Sequence, residues 1–118
     1  MRLVDAIRTE SKAKLVMVIS DSGSPLVTSG EIDGIDGIAA LGVGAYHAMS
    51  RLILLCGLGE ARTVYHQSER GGVLMTAISD GVIAVLVLED VLSPGLARFV
   101  LQRELQSLEE MISEALQK

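Results

Sequence analysis

The sequence predicts an α+β fold, an α/β sandwich in which a five-stranded antiparallel sheet carries helices on both faces. Three observations predict it. Residues 71–90, GGVLMTAISDGVIAVLVLED, read as two strands joined at Asp80-Gly81, among the strongest short hairpin signals a sequence holds. The strand after that junction is apolar on both faces, with Val82, Ala84, Leu86 and Leu88 on one and Ile83, Val85 and Val87 on the other. Such a strand must be covered on both sides. The cover is the third observation: residues 38–56 and the segment following Ser93-Pro94 repeat apolar residues at helical spacing.

Each element follows in order. Leu3, Val4, Ala6 and Ile7 predict a short amphipathic helix over residues 2–11. Residues 13–20 form a second central strand, with Leu15, Met17 and Ile19 on one face and Val16 and Val18 on the other. Asp21-Ser22-Gly23-Ser24-Pro25 is turn chemistry, and residues 26–29 are a short edge strand whose leading Pro25 costs no ladder donor. Residues 31–37 lead into a long helix, with Asp33 or Asp36 as candidate N-caps. Ile38, Leu41, Ala45, Ala48, Leu52 and Leu55 give that helix one apolar stripe, and Gly57-Leu58-Gly59 ends it.

Residues 62–68, RTVYHQS, alternate and are mostly polar, as an exposed edge strand does. In the hairpin, a two-residue loop at Asp80-Gly81 would pair Val82 with Ser79, Ile83 with Ile78 and Val85 with Thr76. Ser93 is a candidate N-cap with Pro94 at the first helical position, opening a helix of about six turns. Leu101, Leu105, Leu108, Ile112 and Ala115 stripe it. The order is α-β-β-α-β-β-β-α, with strands arranged 2-1-5-4-3, the middle helix on one face and the terminal helices on the other.

Composition limits what such a chain does. At 118 residues it buries about two-thirds of its unfolded surface without staples. The lone Cys56 precludes an intrachain disulfide and suits a reducing cytosol, so a cytoplasmic location is expected. Residues 1–10 lack an apolar core, so no secretory leader is expected. Residues 38–57 are nearly long enough to span a membrane but contain His47 and Arg51. An arginine near mid-span costs about 2.5–3.5 kcal/mol, so a buried helix is expected and membrane insertion is not. The net charge of −5, with scattered basic residues and only Tyr46, Tyr65 and Phe99 as aromatics, argues against nucleic acid.

No catalytic constellation emerges. His47, His66 and Cys56 have no metal-ligand spacing; His47 reads as a solvent-facing helix residue and His66 as an edge-strand side chain. Ser20, Ser22 and Ser24 have no histidine placed as a base. The glycines of GVGAY and GLGEA do not make a P-loop, so no cofactor or nucleotide is expected. Glu104, Glu109, Glu110 and Glu114 read as the solvated side of the last helix.

The order of elements, with VMVISDSGSPLVTSG, a long Ala/Gly-rich helix, GGVLMTAISDGVIAVLVLED and SPGLARFVL, resembles the roadblock family of dynein light chains. Among its branches it is most similar to the prokaryotic, MglB-like regulators of Ras-like small GTPases. The likeness spans residues 4–112 and rests on Asp21–Gly23, the Asp80-Gly81 hairpin and the Gly95-Leu96 helix start, taken together. It implies one roadblock domain over residues 1–118, of roadblock/profilin-like fold, that is no enzyme. It also implies dimers that pair third strands into one continuous sheet while the long helices pack side by side, as platforms for GTPases or motor subunits.

The residues themselves point the same way. An open edge at 62–68 needs a partner or protection, and a strand that meets its own copy across a two-fold axis makes a closed contact. Gly42, Gly44, Ala45 and Ala48 would let a second helix approach closely, or let this helix sit near its own sheet. Glycine weakens a helix interior by about 1 kcal/mol relative to alanine, so some packing reason is expected. A homodimer through strand 62–68 and helix 38–56 is therefore expected. The candidate contacts, with a second copy or with a GTPase, are Gly44, Tyr46, His47, Arg51, Arg62, Thr63, Val64, Tyr65, His66 and Gln67. Arg51, Arg62 and Arg70 are candidate arginine fingers, although the resemblance favours activation without one. A dimeric scaffold with no effect on GTP hydrolysis is the alternative.

Overall fold

The computed structural model describes residues 2–90 and 94–116. Eight elements run in the expected order: α1 (Leu3–Ser11), β1 (Leu15–Ser20), β2 (Pro25–Gly30), α2 (Ile35–Leu55), β3 (Thr63–Ser68), β4 (Gly71–Ser79), β5 (Val82–Glu89) and α3 (Gly95–Leu116). The strands make one sheet in the order β2-β1-β5-β4-β3, every neighbouring pair antiparallel.

The two-sided strands dictate the layers. Leu15, Met17 and Ile19 of β1 share a face with Met75, Ile83 and Val85, under Ala39 and Tyr46 of α2. Val16, Val18, Leu74, Val82, Ala84, Leu86 and Leu88 face the other way, against Val4 and Ile7 of α1 and Val100, Leu101, Leu108 and Ile112 of α3. Of the expected α3 stripe, Leu105 is partly buried and Ala115 is exposed.

The hairpin differs from its expected register. Val82 does pair with Ser79, but Ile83 then pairs with Ala77, Ala84 with Thr76 and Val85 with Met75, because a bulge intervenes between Ala77 and Ser79. Side chains alternate with a period of two, so a one-residue slip moves a whole strand to the wrong face. Without the bulge Leu74 would oppose Val87. With it, Leu74 opposes Leu86 and Met75 opposes Val85, and both apolar patterns reach their own core. Only Gly81 of the loop takes positive φ (74°), so this is not the mirror-image turn with both residues left-handed.

Helix ends also correct the expectation. α2 is capped by Gly34 in the left-handed region (φ 80°) and by neither Asp33 nor Asp36, and no side chain bonds there; Asp36 lies in the first turn instead. At the other end Gly57 (φ 75°) donates to Leu54 O at 3.0 Å and Leu58 to Ile53 O at 3.1 Å, a Schellman cap. β1 begins at Leu15 because Lys12 ends α1 in the left-handed conformation and the Ala13 N–H is taken by Arg8 O. Ser93 lies outside the described residues. Pro94 precedes α3, and its carbonyl accepts from the Arg98 N–H at 2.8 Å.

The sheet's two edges are finished differently. On β2, Pro25 has no N–H, a register shift between Val18 and Ile19 breaks the ladder, and the Arg2 guanidinium donates to the Thr28 carbonyl at 3.0 Å. Buried Ser29 fastens α1 over this strand, donating to Asp5 Oδ1 at 2.5 Å and accepting from Arg8 Nε at 2.9 Å. Hydrogen bonds from Arg2 and Ser29 hold the Asp5 carboxyl down to about 2. Among the described residues, β3 at the far edge carries none of these devices.

Candidate protein interface

The surface that needs an explanation is the outer side of α2. Its inner side, Ile35, Ala39, Val43 and Tyr46, lies on the sheet, yet only Ala39 and Tyr46 are fully buried. The stripe Leu41, Ala45, Ala48, Leu52 and Leu55 points the opposite way, with Leu41 at 76% and Leu55 at 84% exposure. The expected buried helix is thus an exposed one. The helix has two apolar faces, and the sheet can cover one. By length and composition alone α2 could cross a membrane.

The small residues divide between these faces. A Cβ at Gly42 would touch Ile19 and Val85 at 3.5 and 3.7 Å, so Gly42 serves close approach to the chain's own sheet. A Cβ at Gly44 would meet nothing within 4 Å. Gly44, Ala45 and Ala48 are exposed and leave the outer face low enough for another helix.

β3 lies beside it. The strand pairs only with β4 among the described residues. Arg62 O accepts from the Ala77 N–H at 3.3 Å, and antiparallel pairs alternate. Val64 and His66 therefore turn their backbone groups to β4, and Thr63, Tyr65 and Gln67 turn theirs outward. The side chains alternate too. Val64 is buried beneath α2, and Tyr65 packs on the opposite core, over the space that Gly72 leaves by lacking a side chain. The Thr63 and Thr76 hydroxyls meet at 3.1 Å.

The ten expected contact residues thus fall into three groups. Gly44, His47, Arg51, Arg62, His66 and Gln67 are exposed; Thr63 and Tyr65 are half-buried; Tyr46 and Val64 are core residues. Tyr46 has a structural task, donating from its hydroxyl to Ala61 O at 3.1 Å and so tying α2 to the start of β3. His47 Nε2 lies 3.0 Å from Asp21 Oδ1, both largely exposed, a contact worth about 0–1 kcal/mol. Leu41, Leu52 and Leu55 are absent from the expected contacts because periodicity assigned them to the core. A second apolar run on the same helix, Ile35, Ala39, Val43 and Tyr46, was the available sign that one stripe had to face elsewhere. Among the described residues no three His, Cys, Asp or Glu side chains come together as metal ligands.

An antiparallel 2-1-5-4-3 sheet between one long helix and two terminal helices defines an α/β sandwich of the roadblock fold. The chain belongs to the Roadblock/LC7 domain family, whose sequence model matches residues 2–88. Its structure is similar to Myxococcus xanthus MglB, with a TM-score of 0.82 at 21% identity, covering 94% of this chain and 95% of that one. It is similar to the gliding protein MglB of Thermus thermophilus, with a TM-score of 0.85 at 22% identity, covering 94% and 86%. A third MglB structure, solved in a tetrameric arrangement, gives 0.86 at 21% identity over 95% and 86%. No curated protein sequence matches. At these identities the likenesses speak to the fold.

Proposed function

We propose that this chain forms a two-fold homodimer through β3 and the outer face of α2, and that the dimer is a non-enzymatic cytoplasmic regulator of a Ras-like small GTPase. One observation carries the reading: the same subunit leaves both an apolar helix face, Leu41 to Leu55, and a strand edge, β3, without cover among the described residues. Both need cover, and one two-fold operation covers both. Outward N–H and C=O groups of Thr63, Tyr65 and Gln67 meet their copies, and the small residues of α2 let its twin lie alongside. Membership of the roadblock family and the likeness to MglB proteins support the GTPase as partner. The tetrameric arrangement of one similar MglB supports dimers that associate further.

The test is binding of the purified chain to a Ras-like GTPase from the same genome, loaded in turn with GDP and a non-hydrolysable GTP analogue. Preference for the GTP form is expected, with accelerated hydrolysis on mixing. Single substitutions of Arg51, Arg62 and Arg70 to Ala should leave stimulated hydrolysis within a few-fold of wild type. A loss of about 10³-fold with binding intact would make that residue an arginine finger. Binding without acceleration would favour the scaffold reading, and no binding in either state would remove the GTPase.

A further inference from the structure

A cavity of about 60 Å³ opens between α2 and the end of the sheet that carries the β1–β2 turn and the β4–β5 loop. Val43 and Tyr46 of α2, Ala77 of β4 and Ile83 of β5 wall it, and the largely exposed Asp21 and His47 stand at its rim. Gly81 shapes that rim. A Cβ on this glycine would lie 3.1 Å from the Asp21 Cβ, so the bare residue lets the hairpin loop close on the β1–β2 turn and fixes where Asp21 stands. The Asp21 carboxylate has one side-chain partner among the described residues, His47 Nε2 at 3.0 Å from Oδ1. A carboxylate accepts about four hydrogen bonds, so most of its capacity is open. Among the described residues no lysine or arginine lines the cavity.

Apolar walls, an aromatic side chain and a carboxylate at the mouth match one kind of visitor, a long basic side chain. Its methylenes lie along Val43, Ala77 and Ile83. Its cationic head reaches the carboxylate through a charge-assisted hydrogen bond, beside Tyr46. An acidic side chain would meet the Asp21 charge, and an apolar one would leave the carboxylate unused. We propose that this cavity is a socket for a lysine or arginine side chain of the partner GTPase. The inference rests on the GTPase reading above for its partner and on the cavity for its chemistry. At about 100° per residue, His47 projects about 120° around α2 from the Leu41–Leu55 stripe. A twin helix on that stripe therefore leaves the mouth open.

Two measurements test this. Amide NMR spectra of the isotope-labelled chain, titrated with N-acetyl-arginine methylamide, should show saturable shifts at Asp21, His47, Ala77 and Gly81. N-acetyl-norleucine methylamide, which has the stem and no charge, should give none, and neither should the arginine amide on Asp21→Asn. With the GTPase loaded with a non-hydrolysable GTP analogue, Asp21→Asn should weaken binding about tenfold. Ala77→Leu, which fills the cavity and leaves every charge, should do the same. Glu110→Gln, at an exposed acid of α3, should bind as wild type does. Shifts that are absent with the arginine amide, or that appear equally with norleucine or in Asp21→Asn, would overturn the socket. Arginine shifts in a chain whose Asp21→Asn and Ala77→Leu variants bind the GTPase at full strength would overturn its assignment to that partner. The GTPase reading fails separately. A wild-type chain that binds the GTPase in neither nucleotide state, yet shows the arginine shifts, would remove that partner and keep the socket.

Discussion

Asp5 shows how a single side chain positions an edge of this sheet. Its carboxylate receives Arg2 and the hydroxyl of Ser29, which joins α1 to β2 across 24 residues of sequence. The carboxyl sits near 2, below the ordinary value of about 3.9 for an aspartate. The folded chain therefore binds fewer protons than the unfolded chain between those values. This contribution to stability is complete above about pH 4 and is lost as pH falls through about 2. Urea midpoints measured from pH 5 to pH 2 should fall in wild type. In Asp5→Asn this part of the fall should be missing. An equally steep fall in the variant would place the acid sensitivity elsewhere, with Glu89, lowered by its hydrogen bond to Lys14, the next group to replace.

At the scale of the element, α2 separates two kinds of apolar residue that look alike in sequence. Met17, beneath the helix, is fully buried, and Met17→Ala should cost about 2–5 kcal/mol. Leu52, on the outer face, is half exposed. Leu52→Asp should change the stability of the isolated subunit by no more than about 0.5 kcal/mol, yet reduce the mass in solution at about 1 M salt to one chain. Retention of the dimer mass in Leu52→Asp would show that this face is not the contact. The same contrast explains what sequence could reveal. Strands β1 and β5 were legible because Leu15 to Ile19 and Val82 to Leu88 are apolar at every position, which only a doubly covered strand tolerates. The inner and outer stripes of α2 were not separable, since periodicity counts apolar residues and is silent on which chain covers them. The bulge at Ile78 escaped because the loop rule fixes one pair, Ser79 with Val82, while the packing of Leu74 against its own core decides the rest. Gly34 escaped as a cap because Asp33 and Asp36 flank it with better capping chemistry, and the backbone turned left-handed at the glycine instead.

For the whole molecule, the decisive asymmetry is between its edges. Tyr65 turns its N–H away from β4, so Tyr65→Pro leaves the internal ladder intact and removes a donor from the open edge. The expected result is a folded chain of about 12.5 kDa, with the mass of two chains for wild type at about 1 M salt. A Tyr65→Pro protein that still dimerises at that salt would mean that pairing does not use this strand. Gln67→Ala, which keeps its backbone donor, should dimerise as wild type does.

Pro25, the irregular ladder at Ile19 and the guanidinium on the Thr28 carbonyl have a meaning beyond the subunit that carries them. In the vocabulary of polymer chemistry, a monomer with two reactive ends grows without limit, and one with a single reactive end is a chain stopper. By strand addition this fold is monofunctional. In the proposed dimer each copy uses its β3 edge, and the product offers two β2 margins, each with Pro25, an interrupted ladder and a carbonyl already taken by Arg2. Further assembly then falls to the helices. Raising its concentration should therefore saturate a discrete species and not lengthen a fibre.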